Sequence, residues 1–486
     1  MTVGAAGSLK GKLLSVVSEA YISGDDAANI VFATDNGIIH SDLTIGANTG
    51  AVHSLVANKF ISSRGHELGG AGFIVTLGEA SALALGSTVG LDQYIRSYLN
   101  GRDLTARPRG VRIIDLFGLT SDEVRRRYPA VYQWLFERVR PERDQNRMSS
   151  VRERWWLHRR LREDLRKSLL GLSRFIATVE TAKHRTFQFV DTDILPDNMI
   201  VAIALEDSFS LGVLSSRVHA KWALGNGGSL RVFVGNVRYK ETRCFETFPF
   251  PSSDTGCTPQ LREKIADLGA QIDAHRKRRQ GIHSSLTVTG MYNVLEKMRA
   301  GEPYDVKEKF IYEQDLVSVL KTLHDELDAA VLEAYGWSDL ADPLNNRDQP
   351  PTANLLKRLV ALNVARSVEE AAGIVRLLRP DFQNSISQVN LLPEQEQSSM
   401  SLEDGYTAES SIAASNASAI IWPRNLPEQV RAIATALKAE PRGLSLTGLT
   451  IWVKGRGQWK KDLMQILETF AALGRARNNG GTWHLS

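Results

Sequence analysis

Tyr98-Leu-Asn-Gly-Arg-Asp-Leu104, Arg217-Val-His-Ala-Lys-Trp222 and Phe248-Pro-Phe-Pro251 bound a stretch whose reading decides the fold. Inside it, the β-rich runs Val111-Arg-Ile-Ile114, Phe175-Ile-Ala-Thr-Val179 and Ile200-Val-Ala-Ile-Ala204 alternate with turn signals and helical patterns. That alternation predicts an α+β domain over residues 96–251. Ser121 to Arg138 starts with a capping Thr or Ser and acids in its first turn, and it places Tyr128, Tyr132 and Leu135 on one side. It reads as one helix docked on the sheet. Leu211-Gly-Val-Leu214 reads as a run leading into a helix through Ser215-Ser216.

Working outward, residues 1–95 mix strand and helix. Leu13-Leu-Ser-Val-Val17 and Ile30-Val-Phe32 are short β runs, and Asp35-Asn-Gly37 is a turn signal. From 258 to 383 the period turns helical: Leu261, Ile265, Leu268 and Ile272 form one stripe, and Leu316, Leu320, Leu323, Leu327 and Val331 another. Residues 384–420 hold Glu394, Glu396, Glu403, Asp404 and Glu409 with no Lys or Arg, and read as a flexible acidic linker. Over 421–486, a helix from Glu428 to Leu437, a second marked by Leu463, Ile466, Leu467, Phe470 and Leu473, and a hairpin around Asn478-Asn-Gly-Gly481 suggest a winged-helix-like module.

Composition narrows the class. With 43% hydrophobic and 23% charged residues and no long apolar run, the chain reads as globular, without a membrane span. Cys244 and Cys257 have neither metal-ligand nor disulfide spacing, and no signal peptide is apparent, which suits the cytoplasm. The net charge is only +4, yet Arg96 to Arg185 holds 22 Lys and Arg against 11 Asp and Glu. Such a concentration suits phosphate binding, and solvated helix faces are the alternative.

Several motifs have plainer readings. Gly69-Gly-Ala-Gly-Phe73 precedes a strand instead of following one and opening a helix, which argues against a cofactor loop. His324-Asp325 reads as a charged surface pair, and Trp155-Trp156 as core. His275-Arg-Lys-Arg-Arg279 reads as the cationic end of its helix, with DNA contact the alternative.

Residues from about Gly11 to Trp337 resemble the C-terminal half of MmeI-type (type IIL) restriction-modification DNA methyltransferases. The resemblance rests on Ser41-Asp-Leu-Thr-Ile-Gly46, Tyr98 to Leu104, Arg140-Pro-Glu-Arg143, Arg154-Trp-Trp156, Arg174-Phe-Ile-Ala177, Glu180-Thr-Ala-Lys183, Leu195-Pro-Asp-Asn198, Gly212-Val-Leu-Ser-Ser216 and Cys244 to Pro251. It implies a mixed α/β target-recognition domain over 96–251, a helical segment after it, double-stranded DNA as ligand, and residues 1–95 as a docking region beside a methyltransferase domain. The stretch between Trp222 and Phe245 resembles the family's variable specificity loop. Arg231, Asn236, Arg238 and Lys240 are accordingly the candidates for base readout, and Arg102, Lys183, His184, Arg185 and Arg217 for the DNA backbone.

The family's catalytic motifs are missing. Gln349-Pro-Pro-Thr352 lacks the Asn or Asp and the aromatic residue that flank Pro-Pro in an adenine-N6 methyltransferase. There is no Phe-x-Gly-x-Gly for S-adenosylmethionine, and Asp305-Val-Lys307 is a poor nuclease site. The expectation is a specificity part with no catalytic residues, metal or cofactor of its own, served by a methyltransferase subunit that carries S-adenosylmethionine. The alternative is a regulator that binds DNA through the C-terminal module.

Overall fold

Strand alternation organises the first half of the chain. The computed structural model describes residues 10–21, 28–39, 45, 47–226, 237–341 and 351–389, together with 420–421, 429, 433, 437, 444–445, 453–454, 459–472, 476–479 and 482–485. Residues 1–395 and 396–486 form separate compact units.

A long antiparallel ribbon, β1 (Gly11–Tyr21) and β2 (Ala28–Gly37), opens the first unit. Asp35-Asn-Gly37 is not its turn: these residues pair with Leu13, Lys12 and Gly11, and the connection falls at 22–27. Ten ladder partners outweigh a local turn preference. Then come β3 (Ser62–Arg64), β4 (Ile74–Val75), β5 (Ile95–Leu99), β6 (Arg112–Ile114), β7 (Arg174–Val179), β8 (Thr181–Ala182), β9 (Gln188–Asp191), β10 (Ile194–Pro196), β11 (Ile200–Ile203) and β12 (Val237–Arg238). They make sheets ordered β10-β5-β6-β4, β3-β11-β7-β9 and β12-β8, in which only β10 with β5 is parallel. Because β3 and β4 complete two of these sheets, a boundary at residue 95 would cut through both.

β7 and β11 are buried on both faces, so they read as continuous apolar runs. Phe175, Ala177, Ile200 and Ala202 face a cluster with Leu104 and Leu165, whereas Ile176, Val201 and Ile203 face a larger core. That larger core also takes Ile265, Ile272, Leu320, Leu327, Val331 and Leu359 from the helical segment. Recognition sheet and helices therefore share one interior. A second core around Phe73, Ile113, Ile114, Leu135 and Trp155 lies in the part built on β4 to β6.

Three helical expectations shift. Ser121 to Arg138 is two helices, Ser121–Arg127 and Pro129–Arg138, because Pro129 bars helical backbone at Tyr128 (φ −134°, ψ 62°). Leu211–Leu214 does not merely lead into a helix: it lies within the helix Ser208–Ser215, capped by the Asp207 side chain, and a second helix begins at Arg217. This helix crosses Pro259–Ile282 closely, since a Cβ on Gly212 would sit 2.5 Å from the Ile265 carbonyl oxygen. The helix Pro380–Val389 continues past Gln383, so the first residues of the expected linker are helical; 391–419 lie outside the described residues.

In the second unit, Ile433, Leu437, Leu444, Leu463, Leu467, Phe470 and Trp483 form the core. The helix Trp459–Ala472 precedes the hairpin β16 (Ala476–Asn479) and β17 (Thr482–Leu485), and β17 also pairs with β14 (Leu444–Ser445). The other described strands there are β13 (Ile420–Ile421) and β15 (Val453–Lys454), a parallel pair.

Candidate nucleic-acid interface

Two described segments, ending at Asn226 and resuming at Val237, meet on a buried aromatic base. On one side the helix Arg217–Asn226 buries Val218, His219, Trp222 and Ala223. On the other side Val237 and Arg238 pair with Ala182 and Thr181, and the Tyr239 N–H donates to the Glu180 carbonyl at 2.6 Å. His219 Nε2 and the Tyr239 hydroxyl lie 3.0 Å apart in a hydrogen bond, beside Phe187 and Phe248. Burial pushes His219 down to about 3, so it is neutral at physiological pH. Arg231 and Asn236 lie outside the described residues. Arg238 and the exposed Lys240 stand at the returning root.

Glu180, 3% exposed, organises that root. Its Oε1 accepts from Arg238 Nε at 2.6 Å and lies 2.6 Å from Arg238 Nη2, and its Oε2 accepts from Arg64 Nη2 at 2.6 Å. Arg64 arrives on β3, whose end is fixed by a close backbone approach: a Cβ on Gly65 would sit 2.3 Å from the carbonyl oxygens of Pro196 and Asp197. Reading by residue type overlooked Arg64. The available signal was an acid directly after the buried run Phe175 to Val179.

Around this centre the expected backbone contacts divide. Lys183 Nζ and His184 Nε2 converge on the Asn293 Oδ1 of helix Val288–Ala300, at 2.7 and 2.8 Å, with Glu296 at 3.5 and 3.7 Å. Arg102 is exposed, and its side chain has no hydrogen-bond or ion-pair partner among the described residues. The Asp103 beside it is bound in a two-pronged pair by Arg109, at 2.8 Å on both oxygens. The Arg185 guanidinium turns inward to Thr178 Oγ1 (3.1 Å), the Val179 carbonyl and the Tyr239 ring. Arg217 is committed elsewhere: its N–H donates to Asp328 Oδ1 at 2.7 Å, its Nε is 2.9 Å from Asp328 Oδ2, and Nη2 is 3.4 Å from Asp325. Arg185 and Arg217 thus depart from the sequence expectation, because burial makes a cation seek internal acceptors.

The same correction holds elsewhere. Arg96, Arg143, Arg166 and Arg174 all bind backbone carbonyls or buried acids. The 275–279 cluster lies within Pro259–Ile282, whose last residue is Ile282, and it staples that helix inward. Arg276 donates to the Phe187 carbonyl (2.5 Å), Lys277 to that of Phe189 (2.7 Å), and His275 to that of Asp315 (2.7 Å). His324 is not a surface residue: it is buried against the Tyr292 hydroxyl at 2.7 Å, and burial lowers its pKa.

In the Gly69–Phe73 segment a Cβ on Gly69 would sit 2.8 Å from Arg159 Cβ and one on Gly72 2.9 Å from the Arg138 carbonyl oxygen, so these two glycines allow close packing within the protein. Trp155 is core, and Trp156 Nε1 donates to the Leu119 carbonyl at 2.9 Å. No described helix is long and apolar enough to cross a membrane.

Residues 67–252 match the family described as "MmeI, target recognition domain", which bears out the resemblance over that segment and begins 29 residues before the boundary expected at 96. Among curated proteins, DNA methyltransferase A of Bacillus subtilis (strain 168) is 30% identical over 76 residues, 16% of this chain and 8% of that protein. Among solved structures, the MmeI of "Structure of Type IIL restriction-modification enzyme MmeI in complex with DNA has implications for engineering of new specificities" is 16% identical, with a TM-score of 0.49. The match covers 72% of this chain and 41% of that one. The chain spans less than half the length of either relative.

Proposed function

We propose that this chain chooses a DNA sequence for a restriction-modification methyltransferase, with the target-recognition domain at 67–252 as the reader. The observation that carries the reading is the buried aromatic base of His219, Trp222 and Tyr239, beside which Arg238 and Arg64 meet on Glu180, with Lys240 exposed next to it and Lys183 and His184 following β8. Loops on stiff scaffolds are the usual carriers of recognition. Arg102, Lys183 and His184 would meet phosphates and set register, without carrying sequence information. Arg231, Asn236, Arg238 and Lys240 would meet base edges, Arg or Lys at guanine O6 and N7 and Asn at adenine N6 and N7.

The chemistry belongs to a methyltransferase subunit or domain, which supplies a methyl donor, S-adenosylmethionine, for adenine N6. No residue of this chain is assigned a catalytic, metal-binding or cofactor-binding role, and the assembly would work in the cytoplasm. Two measurements test the reading. Selection from a randomised duplex library should recover a defined motif, and labelled S-adenosylmethionine should give no transfer to DNA by the purified chain alone. Recovery of no motif, or methyl transfer without a partner, overturns it. Deleting residues 421–486 should leave the motif intact; its loss would favour a regulator acting through the C-terminal module.

A further inference from the structure

We infer that Arg64 and Arg238 form a paired guanine reader braced on one buried carboxylate, that of Glu180; this rests on the reading of the domain as a DNA-sequence reader. The geometry is asymmetric in an informative way. Elsewhere in the domain Asp103 takes the whole fork of Arg109, and Asp115 that of Arg166 at 2.8 and 2.9 Å, with Arg96 standing off at 3.9 Å. Glu180 instead divides its two oxygens between two arginines. Oε1 holds the Nε and Nη2 of Arg238, and Oε2 holds the Nη2 of Arg64, whose Nε donates to the Asn198 carbonyl at 3.1 Å.

Each guanidinium therefore spends its Nε side on the protein. Among the described residues, the Nη1 of Arg64 and that of Arg238 have no partner, and the side chains keep 27% and 39% of their exposure. The remaining edge presents two parallel N–H groups, the arrangement that meets guanine O6 and N7 and is refused by the adenine N6 amine. One carboxylate between two cations also removes most of their mutual repulsion and fixes both rotamers before DNA arrives, so less side-chain freedom is lost on binding. The charge left over is positive, as a DNA contact requires.

Two forks on a single carboxylate address bases no more than about two steps apart, roughly 7 Å at 3.4 Å per step. The recognised sequence should then hold two guanines within that span, on one strand or on opposite strands. Glu180 is a positioning residue here, acting through both arginines.

The test uses the full-length chain, selection from a randomised duplex library, and competition binding at fixed salt. For the wild type, a motif with two nearby guanines is expected. Arg64→Lys and Arg238→Lys keep the charge but lose the fork, so each should flatten one of the two guanines, by about 5- to 150-fold, and spare the rest of the motif. Glu180→Gln should blunt both guanines together while affinity for random DNA is retained or rises. If Glu180→Gln does not fold, the two lysine variants decide the matter alone. A wild-type chain that selects no motif sinks the underlying reading and this inference with it. A wild-type chain that selects a motif unchanged in Arg64→Lys overturns the inference alone, as does a Glu180→Gln variant that folds and weakens all sequences equally.

Discussion

Arg217→Met separates a structural arginine from a DNA-binding one. The Arg217 side chain is 18% exposed and lies against Asp328, which is 3% exposed; Arg299 and Lys321 are occupied by Asp325. Burial pushes Asp328 up to about 6 while Arg217 pulls it back, so the carboxylate is ionised at neutral pH with Arg217 as its close counter-ion. Removing one partner of a buried pair costs about 3–5 kcal/mol, since the other charge is left uncompensated. At about 2–4 °C per kcal/mol that is a Tm lowered by roughly 6–20 °C.

The pH dependence follows from the sign of the shift. A carboxyl whose folded pKa (about 6) lies above its ordinary 3.8 stabilises the fold when protonated; that contribution is complete below about 4 and lost as pH rises through about 6. Without Arg217 the Asp328 pKa climbs further. The variant should therefore be most damaged near pH 8 and partly rescued near pH 5, and adding Asp328→Asn should recover stability at pH 8. Thermal melts at both pH values read this directly. DNA titrations of the folded variant across a salt series should keep the wild-type slope. A melt unchanged from wild type, together with a slope reduced by about one, would refute the reasoning and make Arg217 a phosphate contact.

Gly212→Ala should destabilise by about 1–3 kcal/mol in chemical denaturation, because the new methyl meets the Ile265 carbonyl oxygen, which is backbone and has little room to yield. Trp155→Ala, which empties part of the core shared with Phe73 and Leu135, should cost about 3–5 kcal/mol and leave the selected DNA motif unaltered. Lys183→Ala and Arg102→Ala should each lower the slope of log affinity against log salt by about 0.9 without changing the motif.

Elements whose burial pattern is their own were legible in the sequence. β7 and β11 carry apolar residues on both faces, and the helix Val317–Ala334 repeats Leu320, Leu327 and Val331 toward one core. What escaped depended on a distant partner. Asp35-Asn-Gly37 has turn chemistry but sits opposite Gly11 to Leu13 in a ladder. His324 looks like a surface residue and the 275–279 cations like a helix end in a linear reading, yet His324 is buried against Tyr292, and Arg276 and Lys277 reach the carbonyls of Phe187 and Phe189. Of the site, Arg238 could be singled out. The second arginine at Glu180 could not, because Arg64 is 116 residues away in sequence.

A local excess of cations over acids overstates binding capacity wherever internal partners close the cations off. Arg96, Arg109, Arg143, Arg166, Arg174 and Arg185 each meet a carbonyl, a buried acid or both, so part of the basic density of 96–185 holds the recognition fold together. That use also bears on recognition, since base discrimination requires donors held still, and a backbone stapled by buried guanidinium groups supplies a still base. The distinction between the two roles lies in stoichiometry at the acid. One carboxylate per fork gives a closed, neutral pair that stabilises and binds nothing further, whereas one carboxylate for two forks leaves a cationic, oriented edge. Glu180 meets the second condition, and the motif selected by the lysine variants of Arg64 and Arg238 is the measurement that decides between the two roles.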